Sequence, residues 1–492
     1  MQSCKDEKDY EHRTYQFRIK KNNPLFEYCD EMCFKAKNLY NIANFYVRQA
    51  FSGIKKEPEL RHDNETMVIN TVNSCIKELN HIKVITFEKR KNYNYTDKTK
   101  AKKKTKPALF RELDKNNSFI SWCLLDGVFK LNKQADYKNL PAQTNQAVLK
   151  LLNQDWKSFF NALKEYKINP CKFKGRPKMP RYAKKNGRKV AAFTNQSCKI
   201  KTKNDKYYLI FPKTNLTLDI GEIGLKANNL KEVRIIPSSN FYTVEMVVAV
   251  PKPVINEKGT RIIAIDLGVN NLATIANNVG LTPIIIKGRI LKARNQFYNK
   301  YRAKYYSILR NGKGTNEGQF TSNRLNKLDT DRHYFIKDYF HKASRMIINY
   351  CRDNKIDTIV IGKNKHWKDD IAMRKDAKQS FTNIPYNQFI SMITYKANEK
   401  GIKVIETEES YTSKASFIDN DYIPTYGIDD EKAKFSGRRI SRGMYKSKDG
   451  ILINADVNGA CNILRKVFPM AFSNKDLRNS GAVNAPMSLI VA

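Results

Sequence analysis

The sequence predicts a mixed fold, in which a C-terminal α/β domain follows an N-terminal region that has separate α and β parts. Short strand-like segments at residues 14–19 and 190–250, punctuated by Asn, Asp, Gly and Pro, predict a small β-barrel or sandwich, of which we favour the barrel. Between them, apolar residues recur at helical spacing, which predicts a helical domain inserted into the barrel. Beyond Pro253, apolar strands alternate with helices, as is typical of an α/β domain.

The charge of the chain indicates the class of its partner. Lys and Arg number 90 against 48 Asp and Glu, so the 492 residues carry a formal net charge of +42. Self-repulsion of this size is costly unless a polyanion neutralises it, and nucleic acid is the obvious polyanion. Hydrophobic residues make up 41% of the chain, enough for about two to four domain cores. A ribosomal or chromatin protein is the simpler alternative, but such proteins are usually shorter.

Other classes of protein are disfavoured. No long apolar run or signal peptide is visible, so we expect no membrane partner and a cytoplasmic location. The positive charge adds the expectation of association with the nucleoid of a prokaryotic cell. The cysteines are scattered singly, and the closest pair, Cys29 and Cys33, has no second Cys or His pair beside it. We therefore expect reduced thiols and no zinc site.

Two basic segments are candidate nucleic-acid contacts. The first, residues 89–107, predicts a loop with a run of possible phosphate contacts: Lys102, Lys103 and Lys104. The second, residues 172–189, is broken by Gly and Pro and interleaves cations with aromatic rings, a pattern that suits strand tracking and base stacking. Its candidate contacts are Arg176, Lys178, Arg181 and Tyr182. A solvated loop and a basic linker are the respective alternatives.

The order of elements in the C-terminal half narrows its fold class. Three closely spaced strands come first, then a long helical region with a Gly-rich break, then a strand, a helix, a strand and a final helix. This order is typical of an RNase H-like domain. The segments are 261–266, 271–276, 282–287, 291–354, 357–362, 384–401, 402–406 and 453–467.

Two aspartates are placed as metal ligands would be. Asp266 ends an apolar strand and precedes Leu267 and Gly268, and Asp456 lies at the entry to a helix. Either residue alone could be a turn residue or a helix cap, but both in this strand order rarely occur by chance. Phosphodiester hydrolysis uses carboxylates that hold two magnesium ions, with Mn²⁺ as a substitute. Two carboxylates are too few, so a third is expected.

These residues lie in motifs that resemble a known family. IIAIDLGVNNLATIANN (262–278) resembles the first RuvC motif of TnpB proteins and of the related type V CRISPR effectors. NADVNGACNILRK (454–466) resembles their third motif. Segments 140–160 and 175–182 resemble the N-terminal half of the family, and 331–347 resembles the helix before its fourth RuvC strand.

The resemblance implies an RNA-guided DNA endonuclease that cuts at a single RuvC site and is associated with a transposon. The implied partners are a guide RNA (omega RNA or CRISPR-type RNA) and double-stranded target DNA with a short adjacent motif. It implies a wedge-like β-barrel, a helical recognition domain, a RuvC domain with a basic insert, and a flexible tail. Their expected bounds are 1–28 with 176–255, 29–175, 256–470 with the insert at 411–453, and 471–492.

The sequence departs from the family pattern at two places. The family usually has a catalytic Glu at the end of the fourth strand, where this chain has Gly362. It also usually has a four-Cys zinc module before the third motif, whereas residues 411–453 contain no Cys. In that interval a basic stretch provides expected contacts to a nucleic-acid backbone: Arg438, Arg439 and Arg442.

The next strand offers a replacement for the missing glutamate. Strand 402–406 runs on into Glu408 and Glu409. In an RNase H-like sheet the fifth strand neighbours the fourth, so a Glu at its carboxyl end could reach over Gly362. Side chains alternate along a strand, so only one of the pair should be a ligand, and we favour Glu409. The alternative is that both are surface carboxylates.

Several functions fit the sequence. A relative without nuclease activity would bind RNA and DNA and block transcription. A transposase would join DNA itself, although the resemblance favours cutting. A compact type V CRISPR effector would differ from a TnpB protein in its neighbouring DNA, where a repeat array would replace a transposon end.

Overall fold

A computed structural model of the protein describes residues 9–92, 106–221, 229–255, 259–363, 379, 383–472 and 485–491. The chain forms two compact units, Met1–Lys252 and Pro253–Ala492. In the described residues, no helix is both long enough and apolar enough to cross a membrane.

The first unit begins with a strand, β1 (Tyr10–Lys20), and continues with helices. These are α1 (Leu25–Gly53), α2 (Asp63–Asn92), α3 (Trp122–Leu131), α4 (Ala135–Lys138) and α5 (Ala142–Ile168). The apolar stripe of α5 packs inward, and its fully buried Trp156 donates a hydrogen bond from Nε1 to Asn44 Oδ1 at 3.0 Å. A buried indole N–H needs such a partner, so this pair fixes α5 against α1.

The strands of the first unit form two antiparallel sheets, ordered β1-β7-β6-β2 and β3-β4-β5. They are β2 (Ala191–Thr194), β3 (Lys199–Lys203), β4 (Lys206–Ile210), β5 (Thr217–Gly221), β6 (Leu230–Pro237) and β7 (Phe241–Pro251). Strand β1 pairs with β7 along its whole length, so the helices are an insertion between sheet strands, as predicted. Both sheets share one hydrophobic core with the helices.

The second unit has the predicted RNase H-like sheet. Its elements are β8 (Ile262–Leu267), β9 (Asn271–Asn277), β10 (Ile284–Lys287), α6 (Arg289–Arg310), α7 (Asn323–Asp353), β11 (Thr358–Gly362), α8 (Tyr386–Glu399), β12 (Lys403–Thr407), β13 (Arg438–Ser441), β14 (Met444–Lys446), β15 (Leu452–Asn454), α9 (Ala455–Val467) and β16 (Met487–Leu489). The main sheet is ordered β12-β11-β8-β9-β10-β16. Strand β11 is parallel to β8 and to β12, whereas β9 is antiparallel to β8 and β10.

Three predicted segments need comment. The prediction of a flexible tail over residues 471–492 is wrong at residues 487–489. These residues form β16, which extends the main sheet in parallel with β10. The basic insert contains the small antiparallel sheet β13-β14-β15. The prediction of a loop from residue 89 is wrong for residues 89–92, because α2 continues to Asn92. The run Lys102, Lys103 and Lys104 lies outside the described residues.

Candidate active site and nucleic-acid interface

Asp266 and Asp456 are brought together by the packing of α9 on the sheet. Asp266 lies on β8, between β11 and β9. The side chain of Asn454 caps α9 by accepting the backbone N–H groups of Asp456 (3.0 Å) and Val457 (3.2 Å). A Cβ atom placed on Gly459 would lie 2.9 Å from Asp266 Oδ2. The absence of a side chain at Gly459 therefore lets α9 approach the Asp266 carboxylate directly.

Glu409 lies over the position where the family glutamate is missing. Strands β11 and β12 pair in parallel, with Gly362 beside Thr407. A Cβ atom on Gly362 would lie 2.7 Å from Glu409 Oε2 and 2.6 Å from Ile463 Cδ1. The space that Gly362 leaves is thus filled by the Glu409 carboxylate. Glu408 is directed elsewhere, since it forms an ion pair with Lys466.

The three carboxylates Asp266, Glu409 and Asp456 line one open cleft of about 760 Å³. Burial raises the pKa of Asp266 well above its ordinary value, and the negative charges of Glu409 and Asp456 raise this pKa further. Asp456 accepts a hydrogen bond from Asn271 Nδ2 at 2.7 Å and forms an ion pair with Arg439 Nη2 at 3.3 Å. The cleft is therefore a site of concentrated negative charge beside a cationic rim.

The donor chemistry of this cleft suits a hard cation. Carboxylate oxygens are the ligands that Mg²⁺ and Mn²⁺ prefer. A bound cation would relieve the repulsion that raises the pKa of Asp266. Within the described ranges, no three or more His, Cys, Asp or Glu side chains are arranged so that they could hold a metal ion as they stand. The carboxylates line a common cleft, and their roles as ligands remain a prediction.

The predicted arginines of the basic insert divide into two sets. Arg439 and Arg442 line the cleft with the carboxylates. Arg438 is exposed and lies opposite Lys446 in the β13-β14 pair. Sequence reasoning missed Asn271 and Arg289, which also line the cleft. Asn271 follows Asp266 by five positions across a turn, a spacing that carries no recognisable signal on its own.

The second basic segment forms one wall of a groove in the first unit. Arg176, Lys178 and Arg181 line this groove, which has a volume of about 460 Å³. Arg48 of α1 and Lys55 of the turn after it contribute further cations, and the apolar lining is Phe51, Phe159, Leu163, Pro177 and Met179. Sequence reasoning missed both cations, because this part of the chain reads as a core helix.

Tyr182 lies at the edge of this arrangement. The guanidinium of Arg48 lies over the Tyr182 ring, 5.2 Å from its centroid, and donates a hydrogen bond to the Pro180 carbonyl at 2.8 Å. The ring is 44% exposed, so one part of it is open to a ligand. An apolar floor with a cationic rim is the pattern expected for a nucleic-acid backbone with unstacked bases.

Comparison with known proteins finds similarity in the two segments that contain the site. The OrfB_IS605 family, described as a probable transposase, matches residues 245–368, and the Cas12f1-like TNB domain matches residues 386–463. TnpB-like protein ORF457 of Acidianus two-tailed virus is 24% identical over 395 residues, covering 72% of this chain and 78% of that protein. These matches support a relationship of the chain to the TnpB family. The first TnpB-family match contains Asp266 and Gly362, and the second contains Glu409 and Asp456.

The solved structures that the chain matches are less similar to it in sequence. A Cas12f1–sgRNA–target DNA complex is 13% identical, with a TM-score of 0.46 and coverage of 92% of this chain and 98% of that one. Alicyclobacillus acidoterrestris C2c1 in complex with single-guide RNA is 8% identical, with a TM-score of 0.33 and coverage of 87% and 69%. The family assignment rests on the sequence matches.

Proposed function

We propose that this TnpB-family protein is an RNA-guided DNA endonuclease that hydrolyses phosphodiester bonds at a single, magnesium-dependent RuvC site. The observation that carries the proposal is the position of Glu409, whose carboxylate fills the space over Gly362. With Asp266 and Asp456 in the same cleft, it restores the three carboxylates that the chemistry needs. The ligands would be Asp266, Glu409 and Asp456.

Each residue of the cleft has a distinct task in this proposal. When bound, the magnesium ions supply an activated water and stabilise the leaving oxygen. Asp266 offers a carboxylate from the middle of a rigid sheet, and Asn271 orients Asp456 through their hydrogen bond. Arg439 and Arg442 would hold the phosphates of the DNA beside the cleft, since arginine forms strong charge-assisted bonds with phosphate.

We infer a guide RNA and a target DNA as partners from the charge of the chain and from its similarity to the TnpB family. The surplus of 42 positive charges needs a polyanion, and the groove around Arg176 provides an apolar floor with a cationic rim. In an RNA-guided system, base pairing reads most of the target sequence while the protein holds backbones. We therefore propose omega RNA or a CRISPR-type RNA as guide, and double-stranded DNA with a short adjacent motif as target.

One observation favours a second candidate, a binding protein without nuclease activity. Arg439 forms an ion pair with Asp456, so a side chain already neutralises a proposed ligand. If that pair persists in the nucleic-acid complex, the protein would bind its target and block transcription without cutting. Binding of DNA phosphate to Arg439 would instead free Asp456.

The decisive experiment uses the ribonucleoprotein as it is purified. Sequencing of the co-purified small RNA identifies the guide, and a matching plasmid with a randomised flank selects the adjacent motif. We expect both strands to be cut with Mg²⁺ and neither to be cut with EDTA. Asp266→Asn should retain RNA and target binding but lose cutting. Stable binding of a matched target without cutting would establish the second candidate.

The genomic setting is a separate question within this proposal. A transposon end beside the coding region would support transposon association, whereas a repeat array would indicate a compact type V CRISPR effector. A transposase would instead yield joined DNA products in the same assay, which a strand-transfer readout on the cut plasmid would detect.

A further inference from the structure

Glu409 lies beyond the strand that precedes it. Strand β12 ends at Thr407, so the backbone pairing of the sheet does not reach Glu409. Two residues further on, Tyr411 has a φ of +62°, in the left-handed region, and the chain turns there. A metal ligand must be held within about 0.5 Å of its productive position. Contacts other than those of the sheet must therefore fix residues 408–417, which we name the Glu409 segment.

Helix α9 has a polar face that provides such contacts. Asn458, Asn462 and Lys466 recur at four-residue spacing, so they lie on one face of the helix and define its polar stripe. Both asparagines are 0% exposed, and the Lys466 side chain is 10% exposed. Burial of a polar side chain costs free energy unless its donors and acceptors are satisfied. The hydrogen bonds of the polar stripe therefore identify what it holds.

The two asparagines bind the backbone of the Glu409 segment. Asn462 Nδ2 donates to the carbonyls of Thr412 at 2.9 Å and Ala415 at 2.7 Å. Asn458 Nδ2 donates to the same Ala415 carbonyl at 2.8 Å, and Asn458 Oδ1 accepts the N–H of Phe417 at 2.9 Å. Because buried side chains of α9 satisfy these backbone groups, the segment is fixed to the helix.

Thr412 connects this anchor to Glu409. The Thr412 N–H and its Oγ1 hydroxyl both donate to the Glu409 carbonyl, at 3.3 Å and 2.8 Å. Lys466 Nζ donates to the carbonyl of Ser410, the residue after Glu409, at 3.1 Å. A continuous series of hydrogen bonds therefore leads from Asn462 through Thr412 to the backbone of Glu409.

The same helix contacts the other two carboxylates of the cleft. Asp456 lies in its first turn. Gly459 lies against Asp266, since a Cβ atom at Gly459 would be 2.9 Å from Asp266 Oδ2. One rigid helix thus provides the first carboxylate, contacts the second and holds the segment that bears the third.

We propose that Asn458, Asn462 and Thr412 are positioning residues, which hold the Glu409 carboxylate where it can bind a divalent cation. The polar stripe does for Glu409 what sheet pairing does for a residue within a strand. Loss of hydrogen bonds that orient a metal ligand typically lowers metal affinity about 10- to 100-fold. The inference rests on the proposed function, because it takes Glu409 to be a ligand.

The test measures cation binding by the EDTA-treated ribonucleoprotein, with Mn²⁺ detected by electron paramagnetic resonance as the probe. The difference between the parent and Asp266→Asn separates Mn²⁺ bound in the cleft from Mn²⁺ bound to the RNA. Asn462→Ala removes two hydrogen bonds to the Glu409 segment. We expect it to weaken Mn²⁺ binding in the cleft about tenfold.

Asn277→Ala is the matched control. This asparagine is 8% exposed, and its Nδ2 donates to the Leu281 carbonyl at 2.8 Å, so its replacement also removes a hydrogen bond of a buried side chain. Asn277 pairs with Ile263, three residues before Asp266 on β8, and has no contact with the Glu409 segment among its hydrogen bonds. This variant should bind Mn²⁺ as the parent does.

A milder pair of variants separates positioning from packing. Thr412→Val keeps the size of this 4%-exposed side chain but loses the hydroxyl that donates to the Glu409 carbonyl. Thr412→Ser keeps the hydroxyl and loses a methyl group. We expect Mn²⁺ binding to weaken several-fold in Thr412→Val and to stay close to the parent value in Thr412→Ser. A packing role would give the opposite order.

Hydrogen exchange of the backbone amides in the Glu409 segment adds a readout without metal. Exchange should be faster in Asn462→Ala and unchanged in Asn277→Ala. Parent-like Mn²⁺ affinity in folded Asn462→Ala, or the opposite order of the two Thr412 variants, would overturn this inference alone. Equal Mn²⁺ binding by the parent and Asp266→Asn would overturn the proposed function, and this inference with it.

Discussion

The nuclease cleft and the basic groove of the first unit are built on opposite principles. In the cleft, carboxylates lie against glycines: a Cβ on Gly362 or Gly459 would come within 2.9 Å of a carboxylate oxygen. In the groove, the cations are exposed, and Gly175 beside them has no atom within 4 Å of an added Cβ. Metal chemistry depends on the exact position of a few atoms, whereas polyanion binding depends on how many cations are present.

The addition of a single methyl group should give the largest difference in cutting rate between variants of the cleft and variants of the groove. Gly362→Ala places a Cβ 2.7 Å from Glu409 Oε2 and 2.6 Å from Ile463 Cδ1, so the carboxylate must move. We expect the single-turnover cutting rate to fall about 100-fold, with RNA content and target binding unchanged. Gly175→Ala, in open space, should cut as the parent does. Equal rates for the two variants would contradict the difference between the regions.

Loss of the orienting amide should have a smaller effect. Asn271→Ala removes the 2.7 Å hydrogen bond to Asp456 Oδ2. We expect about a tenfold loss of cutting and a shift of the Mg²⁺ titration to higher concentration, because outer hydrogen bonds orient metal ligands. Asn270→Ala, in the same cleft wall, is the control. An unchanged Mg²⁺ titration for Asn271→Ala would show that Asp456 does not need this partner.

Removal of cations from the groove should change the salt dependence of RNA binding rather than the geometry of a site. Replacing Arg176, Lys178 and Arg181 by Ser should weaken RNA binding several-fold at physiological salt. The slope of log affinity against log salt should become shallower by about 2, since each lost phosphate contact contributes about 0.7 to 0.9. Filter binding at several salt concentrations measures the slope. A uniform loss of affinity with the same slope would mean that these side chains do not contact phosphates.

The smallest expected effect is a change in thermal stability when the charge of Asp266 is removed. Burial and the charges of Glu409 and Asp456 raise the pKa of Asp266 above its ordinary value of 3.8. A carboxyl with a raised pKa in the folded state costs stability as pH rises above its unfolded pKa. Asp266→Asn should therefore raise the melting temperature of the EDTA-treated ribonucleoprotein by about 2–4 °C at neutral pH. The gain should shrink near pH 4, and a lower melting temperature at neutral pH would contradict the cause assigned to the pKa.

The sequence predicts the fold correctly where the local apolar pattern and the topology of the strands agree. The strand order of the second unit can be predicted from apolar runs and helix spacing, and it brings Gly362 beside Thr407. The sequence favours Glu409 over Glu408 only slightly, because the alternation of side chains along a strand no longer holds beyond its last residue. The structure separates them through the Lys466 ion pair and the space over Gly362.

Other features could not be predicted because they depend on distant contacts. The strand Met487–Leu489 is only three residues long and pairs in parallel with the edge of β10, which lies about 200 positions earlier in the chain. Arg48 lies in a helix whose other residues are largely core, and its role emerges only when the loop at Pro180 packs against it.

The central claim is that Glu409, and not Glu408, provides the third carboxylate of the nuclease site. The most direct measurement is the single-turnover cutting rate of a verified target by Glu409→Gln and Glu408→Gln, at equal RNA content. We predict that Glu409→Gln loses cutting while it keeps target binding, and that Glu408→Gln cuts at close to the parent rate. Cutting by Glu409→Gln at the parent rate, or its loss in Glu408→Gln alone, would contradict this account.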